Sequence, residues 1–121
     1  MKTEYQISET PDYVLVTASG NTKGQFKLIR ECFREVTRFC QEKHQRHVLF
    51  DVSQLNRDLD LTELGELAEQ SQDDLSHQLK IAVSWGRPAP SSFFLFNMKE
   101  AGYHIQYFNQ LNEAENWLLN R

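Results

Sequence analysis

The feature that most constrains this chain is an alternation of two hydrophobic periods. Five short runs rich in β-branched and aromatic residues, YQI, YVLVTASG, HVLFDVS, LKIAVSW and YHIQYF, read as strands. Thr10-Pro11-Asp12 splits the first two, which is the composition of a turn. Between the later runs lie segments whose apolar residues recur every three to four positions, the spacing of one face of a helix. The predicted order is strand, strand, helix, strand, helix, strand, helix, strand, helix. Strands joined through helices run parallel, so the pattern predicts an α/β fold with a mixed, largely parallel sheet packed with helices. The 121 residues fit a single domain spanning 1–121.

Four helices follow from the second period. In the first, Phe26, Ile29, Phe33, Val36 and Cys40 form an apolar stripe, and Thr22 with Gln25 has capping-box spacing at its start. Lys23, Lys27, Arg30, Arg34 and Arg38 share another face, interleaved with Glu31, Glu35 and Glu42. This predicts a solvated surface of i,i+4 pairs, with a basic docking surface as the alternative. The second helix follows RDLD and carries Leu61, Leu64, Ala68 and Leu75 on its inner side. The third is SSFFLFNMKEA, capped by Ser91 or Ser92 and followed by Gly102 at the C′ position. Asn112 and Glu115 have the spacing of a capping box for the last helix, which carries Trp117, Leu118 and Leu119.

Composition narrows the partners. A hydrophobic content of 40 %, with 12 % aromatic residues, is enough for a core. A formal charge of −4 argues against nucleic acid and anionic membrane surfaces. No apolar run reaches the roughly 18 residues of a membrane span, and MKTEYQISE lacks the apolar core of a secretion signal. Cys32 and Cys40 fall in one helix about 12 Å apart along its axis, too far for a disulfide. Both are expected as buried, reduced thiols of a cytoplasmic protein.

Catalytic and metal chemistry find no matched set of residues. His44 and His47 form an H-x-x-H, but the pair straddles a helix end and a strand start. Neither Cys40, His77 nor His104 has spacing that completes a zinc site. There is no G-x-S-x-G elbow and no phosphate-cradling glycine loop. Asp58, Asp60, Glu63, Glu66, Glu69, Asp73 and Asp74 cluster around the second helix. Helical spacing spreads them over a solvent face, which suits an acidic docking surface or simple solubility better than acid/base catalysis. The expectation is no enzyme, no metal and no cofactor.

Two regions suit ligands. Asp51, Ser53, Trp85 and Arg87 fall at strand carboxyl ends, where open α/β sheets gather ligands, and together with Phe94 they define a pocket for a small lipid-like or anionic molecule. Alternatively Trp85 caps the core and Arg87 pairs with a nearby acid. The third helix is apolar nearly all round, so Phe93, Phe94, Leu95, Phe96 and Met98 cannot all face one sheet. A homodimer or a lipid-sized pocket would each account for the excess.

With these pieces placed, the chain resembles the STAS superfamily (sulfate transporter and anti-sigma-factor antagonist domains), in particular its small SpoIIAA-like branch. The likeness covers nearly the whole chain. It rests on HVLFDVS leading into the second helix, LKIAVSW after it, then FFLFNMKEAGYHIQYF and EAENWLL. Phosphorylatable members carry an aspartate, two hydroxyl residues and a glycine at the start of the second helix. On that pattern Asp60 takes the aspartate's place and Thr62 that of the phosphoacceptor, while Leu61 replaces the first serine and Glu63 the glycine. Leu64 and Leu67 keep the apolar positions. The resemblance implies a non-enzymatic cytoplasmic regulatory module that docks a protein partner through Asp58, Asp60, Glu63 and Leu64, with Thr62 as phosphoacceptor. The residues themselves also admit Asp60 as a plain N-cap, boxed with Glu63.

Overall fold

The computed structural model describes residues 3–56, 60–89 and 91–120. Its elements are β1 (Glu4–Glu9), β2 (Val14–Asn21), α1 (Phe26–Glu42), β3 (His47–Asn56), α2 (Leu61–Ser71), β4 (Lys80–Ser84), α3 (Phe93–Glu100), β5 (His104–Phe108) and α4 (Leu111–Leu118). The strands form one sheet in the order β1-β2-β3-β4-β5, antiparallel between β1 and β2 and parallel elsewhere. The expected mixed, largely parallel α/β sheet is present.

Pleat parity assigns the core. Val14 and Val16 of β2, Val48, Phe50 and Val52 of β3, Ile81 and Val83 of β4, and Ile105 of β5 face one side. There they meet Cys32, Val36 and Cys40 of α1, Ala68 of α2 and Met98 of α3. The alternate residues Leu49 and Ala82 face the other side, against Ala114 and Leu118 of α4, with Tyr13 beside them. Burial on both faces explains why HVLF and KIAV are continuous apolar runs rather than alternating ones. Among the described residues α4 alone covers the second face, so polar Asp51 and Ser53 take over along β3 beyond its reach.

Two helix ends close through the same device. At the end of α3 the Tyr103 N–H donates to Met98 O at 3.1 Å and the Gly102 N–H to Lys99 O at 3.0 Å. These are the paired bonds of a Schellman motif, with Gly102 at φ +93° in the C′ position. At the end of α1, the Gln45 and His44 N–H groups bond Cys40 O and Gln41 O in the same pattern, and His44 takes φ 54°.

The helix starts depart from sequence expectation. Gln25 is the N-cap of α1 and makes no side-chain cap bond, so the Thr22–Gln25 box does not form. Thr22 is 3 % exposed, and its hydroxyl donates to Asn56 O at 3.4 Å. Asn112 and Glu115 form no box either, because α4 begins one residue earlier than Asn112, with Gln110 as N-cap. Ser92 is the N-cap of α3 without a side-chain cap bond; the Ser91 hydroxyl instead accepts the Phe93 N–H at 3.1 Å. A four-residue spacing is necessary for a capping box, but the backbone must turn at its first residue.

Candidate functional site

At the start of α2 the local sequence does form its cap. Asp60, in extended conformation, accepts the Glu63 N–H on Oδ1 at 2.8 Å, and Glu63 Oε1 accepts the Asp60 N–H at 3.2 Å. This reciprocal box satisfies two of the donors that a helix start leaves open, and leaves the Leu61 and Thr62 N–H groups outside it. Thr62 occupies the second helical position and is exposed. A phosphate on its hydroxyl would meet the positive end of the helix dipole. It would also lie between the Asp60 and Glu63 carboxylates, which oppose it.

The side chains around this turn separate cleanly. Leu64 and Leu67 are 3 % and 5 % exposed and belong to the interior, so Leu64 offers no docking contact. Leu61, expected on the inner side, is instead 60 % exposed. Its angle on the helix matches that of Ala68, but it sits at the first turn, where the layer no longer covers it. On the neighbouring helix, Phe93 and Phe96 are 38 % and 60 % exposed, while Phe94 and Leu95 pack against the core. Helices α2 and α3 meet closely at Gly65, where a Cβ would lie 3.4 Å from Phe93 Cε2. Among the described residues, three of the four exposed large hydrophobics therefore belong to this one helix pair. Glu66 and Glu69 are exposed on α2 as well, so the apolar positions are bordered by acid. Asp58, expected to take part in docking, lies outside the described residues.

The other end of α2 is built differently. Asp74, expected on a solvent face, is 5 % exposed. Arg30 Nε donates to its Oδ2 at 2.8 Å and Arg34 Nη1 to its Oδ1 at 3.2 Å. Two members of the basic face thus reach across to another element rather than pairing along α1. The Thr37 hydroxyl donates to Asp74 O at 2.8 Å and accepts the Ser76 N–H at 3.2 Å. From the opposite side, the Tyr103 hydroxyl lies 2.7 Å from Leu75 O and 3.2 Å from Ser71 O, and His77 stacks on its ring at 3.9 Å. Burial, with the charges of Asp74 and Asp73, pushes the Tyr103 phenol up to about 12.

The expected ligand pocket does not assemble. Asp51 and Ser53 point to the α4 side of the sheet, where Ser53 donates to Asp51 Oδ1 at 2.8 Å on an open polar surface shared with Gln6 and Thr17. Trp85 and Phe94 lie on the opposite side, in the main core. Among the described residues Arg87 pairs with no acid: its Nη1 and Nη2 donate to Ser53 O at 2.9 Å and Leu55 O at 2.8 Å, and its guanidinium stands 6.0 Å from the Trp85 ring centre. It ties the strand ends together. Gly86, at φ +68°, permits this close approach, since a Cβ there would come within 2.8 Å of Ser53 Cβ.

Of the five residues expected to form the pocket, Trp85 and Phe94 line a cavity of about 140 Å³ between the sheet and helices α1 to α3. Its wall includes Cys32, whose thiol burial and the nearby Glu35 and Glu31 charges push up to about 12; burial pushes Cys40 up to about 11. Neither cysteine is disulfide-bonded. The histidines serve separate places: His44 at a helix end, His77 on Tyr103, His104 edge-on to Trp117. Among the described residues no three histidine, cysteine or acidic side chains gather as a metal site, and no helix is long and apolar enough to cross a membrane.

No family model matches the sequence, and no curated protein matches it either. Solved structures do. An anti-sigma factor antagonist from Mycobacterium paratuberculosis is similar with a TM-score of 0.60 at 11 % identity, over 97 % of this chain and 94 % of that one. RsbS from Moorella thermoacetica, in a variant with glutamate in place of a serine, gives 0.59 at 17 % identity, over 96 % and 95 %. SpoIIAA in its unphosphorylated form gives 0.58 at 15 % identity, over 98 % of both chains. The five-stranded sheet with its four helices is the STAS fold, and the resemblance read from the sequence holds along nearly the whole chain at the level of fold.

Proposed function

We propose that this chain is a regulatory protein-interaction module, without catalytic activity of its own, that docks a partner on the outer surface of α2 and α3. The observation that carries this reading is the exposure of Leu61, Phe93 and Phe96 on one helix pair beside the capped turn Asp60–Glu63. Exposed apolar anchors with a polar border are what a transient protein interface presents before binding. Acidic Asp60, Glu63, Glu66 and Glu69 select a partner whose contact surface is basic around an apolar centre. The fold neighbours support a regulatory role, since two of the three are described as anti-sigma factor antagonists. A cytoplasmic site of action fits such a role.

Thr62 belongs to this proposal as a position where modification would alter docking. Its hydroxyl is exposed at the rim, and a phosphate would add charge to an already acidic border. Such a phosphate weakens docking of an acidic or neutral partner and strengthens that of a basic one.

The test is capture of a partner from extracts of the source cells by the tagged chain, followed by affinity measurement with that partner purified. Leu61→Lys and Phe96→Lys are expected to weaken the complex roughly tenfold or more while the circular dichroism spectrum is unchanged. Leu111→Lys, at an exposed leucine of α4, serves as the control. A partner held equally well by all three variants binds elsewhere and defeats the proposal. Light scattering of the free chain separates a homodimer, formed through the same phenylalanines, from a heterologous complex.

A further inference from the structure

We infer that the cavity between the sheet and α1 to α3 is a binding site for a small neutral apolar molecule, an aromatic ring or a short hydrocarbon chain, and that it rejects anions. This goes beyond partner docking, because the site lies inside the layer rather than on α2 and α3. Three observations carry it. The volume of about 140 Å³ matches that of apolar protein cavities, near 150 Å³, that stay dry and take up benzene or xenon. The deep wall is hydrocarbon: Val16, Leu67, Ile81, Val83 and Ile105 line it and are at most 8 % exposed.

The third observation is electrostatic. No lysine, arginine or histidine is among the described residues lining the cavity, whereas the exposed Glu4 is. Arg87, beyond the end of β4, has two of its donors on the Ser53 and Leu55 carbonyls. Three hydroxyl groups of the wall are turned to the protein: that of Thr3 donates to Asn21 O, that of Thr22 to Asn56 O, and that of Tyr5 bonds Glu35. A carboxylate drawn into such a space would lose its hydration with no cation among the described lining residues to replace it. Partly exposed Thr3, Leu28 and Leu55 gather where β1 and α1 begin and β3 ends, which gives the site its entrance.

Methyl NMR of the full chain, titrated separately with benzene, 1-hexanol and hexanoate at neutral pH, tests the inference. Benzene and hexanol are expected to shift the methyl signals of Val16, Leu67, Val83 and Ile105 saturably. Hexanoate, of the same chain length as hexanol, is expected to bind roughly tenfold more weakly or worse. Val83→Ile adds one methylene while keeping a β-branched side chain in β4. It is expected to raise the melting temperature and to abolish the benzene shifts. Absence of saturable shifts with both neutral probes overturns the inference, as does hexanoate binding at least as tightly as hexanol. A lower melting temperature for Val83→Ile means the space is already filled, and unchanged benzene binding by that variant puts the site elsewhere; either result overturns it too.

Discussion

The two ends of α2 hold carboxylates for opposite purposes. At the first turn Asp60 and Glu63 bond backbone groups of their own turn, and the adjacent Leu61 stands 60 % exposed. Just beyond its last turn Asp74 has a side chain only 2 % exposed, gripped by Arg30 and Arg34 from a helix some forty residues earlier in the chain. Tyr103 fastens the same corner from the residue before β5. One end is closed within a single turn, and the other joins three distant segments. A helix anchored at its rear and capped at its front can present its first turn rigidly without burying it. Local capping leaves a surface available; long-range pairing uses it up.

Alkali gives the largest expected effect, through Tyr103 at the anchored end together with the buried thiols of α1. In the unfolded chain the thiols of Cys32 and Cys40 ionise near 9 and the phenol of Tyr103 near 10; folded, they hold their protons up to about 12, 11 and 12. Above pH 9 the unfolded state therefore binds fewer protons than the folded one, and stability falls with each further rise until the folded values are reached. Below pH 9 these groups contribute no slope. Urea midpoints measured from pH 8 to 11 are expected to decline throughout the upper part of that range, and a flat profile would contradict the burial of these groups.

Asp74→Ala comes next, with an expected loss of about 2 kcal/mol in urea unfolding. It removes two charge-assisted bonds, while the partly exposed arginines recover water. Tyr103→Phe leaves the Ser71 and Leu75 carbonyls without their hydroxyl donor. A cost of about 1.5 kcal/mol is expected, with a shallower alkaline decline than the parent. Asp60→Ala deletes the cap at the free end, for about 1 kcal/mol, read as a fall of roughly 4 °C in melting temperature. Thr62→Ala closes the series with a change within about 0.5 kcal/mol, since the side chain is exposed and outside the box. Equal costs for Asp74→Ala and Asp60→Ala would dissolve the contrast between the two ends.

The same contrast explains what the sequence disclosed. The Asp60–Glu63 box is readable because all its partners lie within four residues, and strand and helix periods are readable for the same reason. Asp74 is unreadable because the charges that admit it to the interior come from Arg30 and Arg34, and nothing local marks it apart from Asp73. Leu61 has the periodicity of a core residue, but periodicity does not tell where a layer ends. The separation of Asp51 and Ser53 from Trp85 was within reach of pleat parity: Asp51 pairs in register with Ser84, so it shares that residue's face and not that of Trp85. The apolar excess of α3 hinted at a pocket, but the outline of a cavity is not readable in sequence, being defined by what the side chains around it fail to fill.

Strand order equal to chain order has a consequence for how this protein is made. Each strand from β3 onward joins the sheet at its growing margin, next to the strand synthesised before it, and none has to be threaded between two already paired. The sheet can therefore grow by accretion as the chain leaves the ribosome, beginning with the β1–β2 hairpin, which needs only a short loop to close.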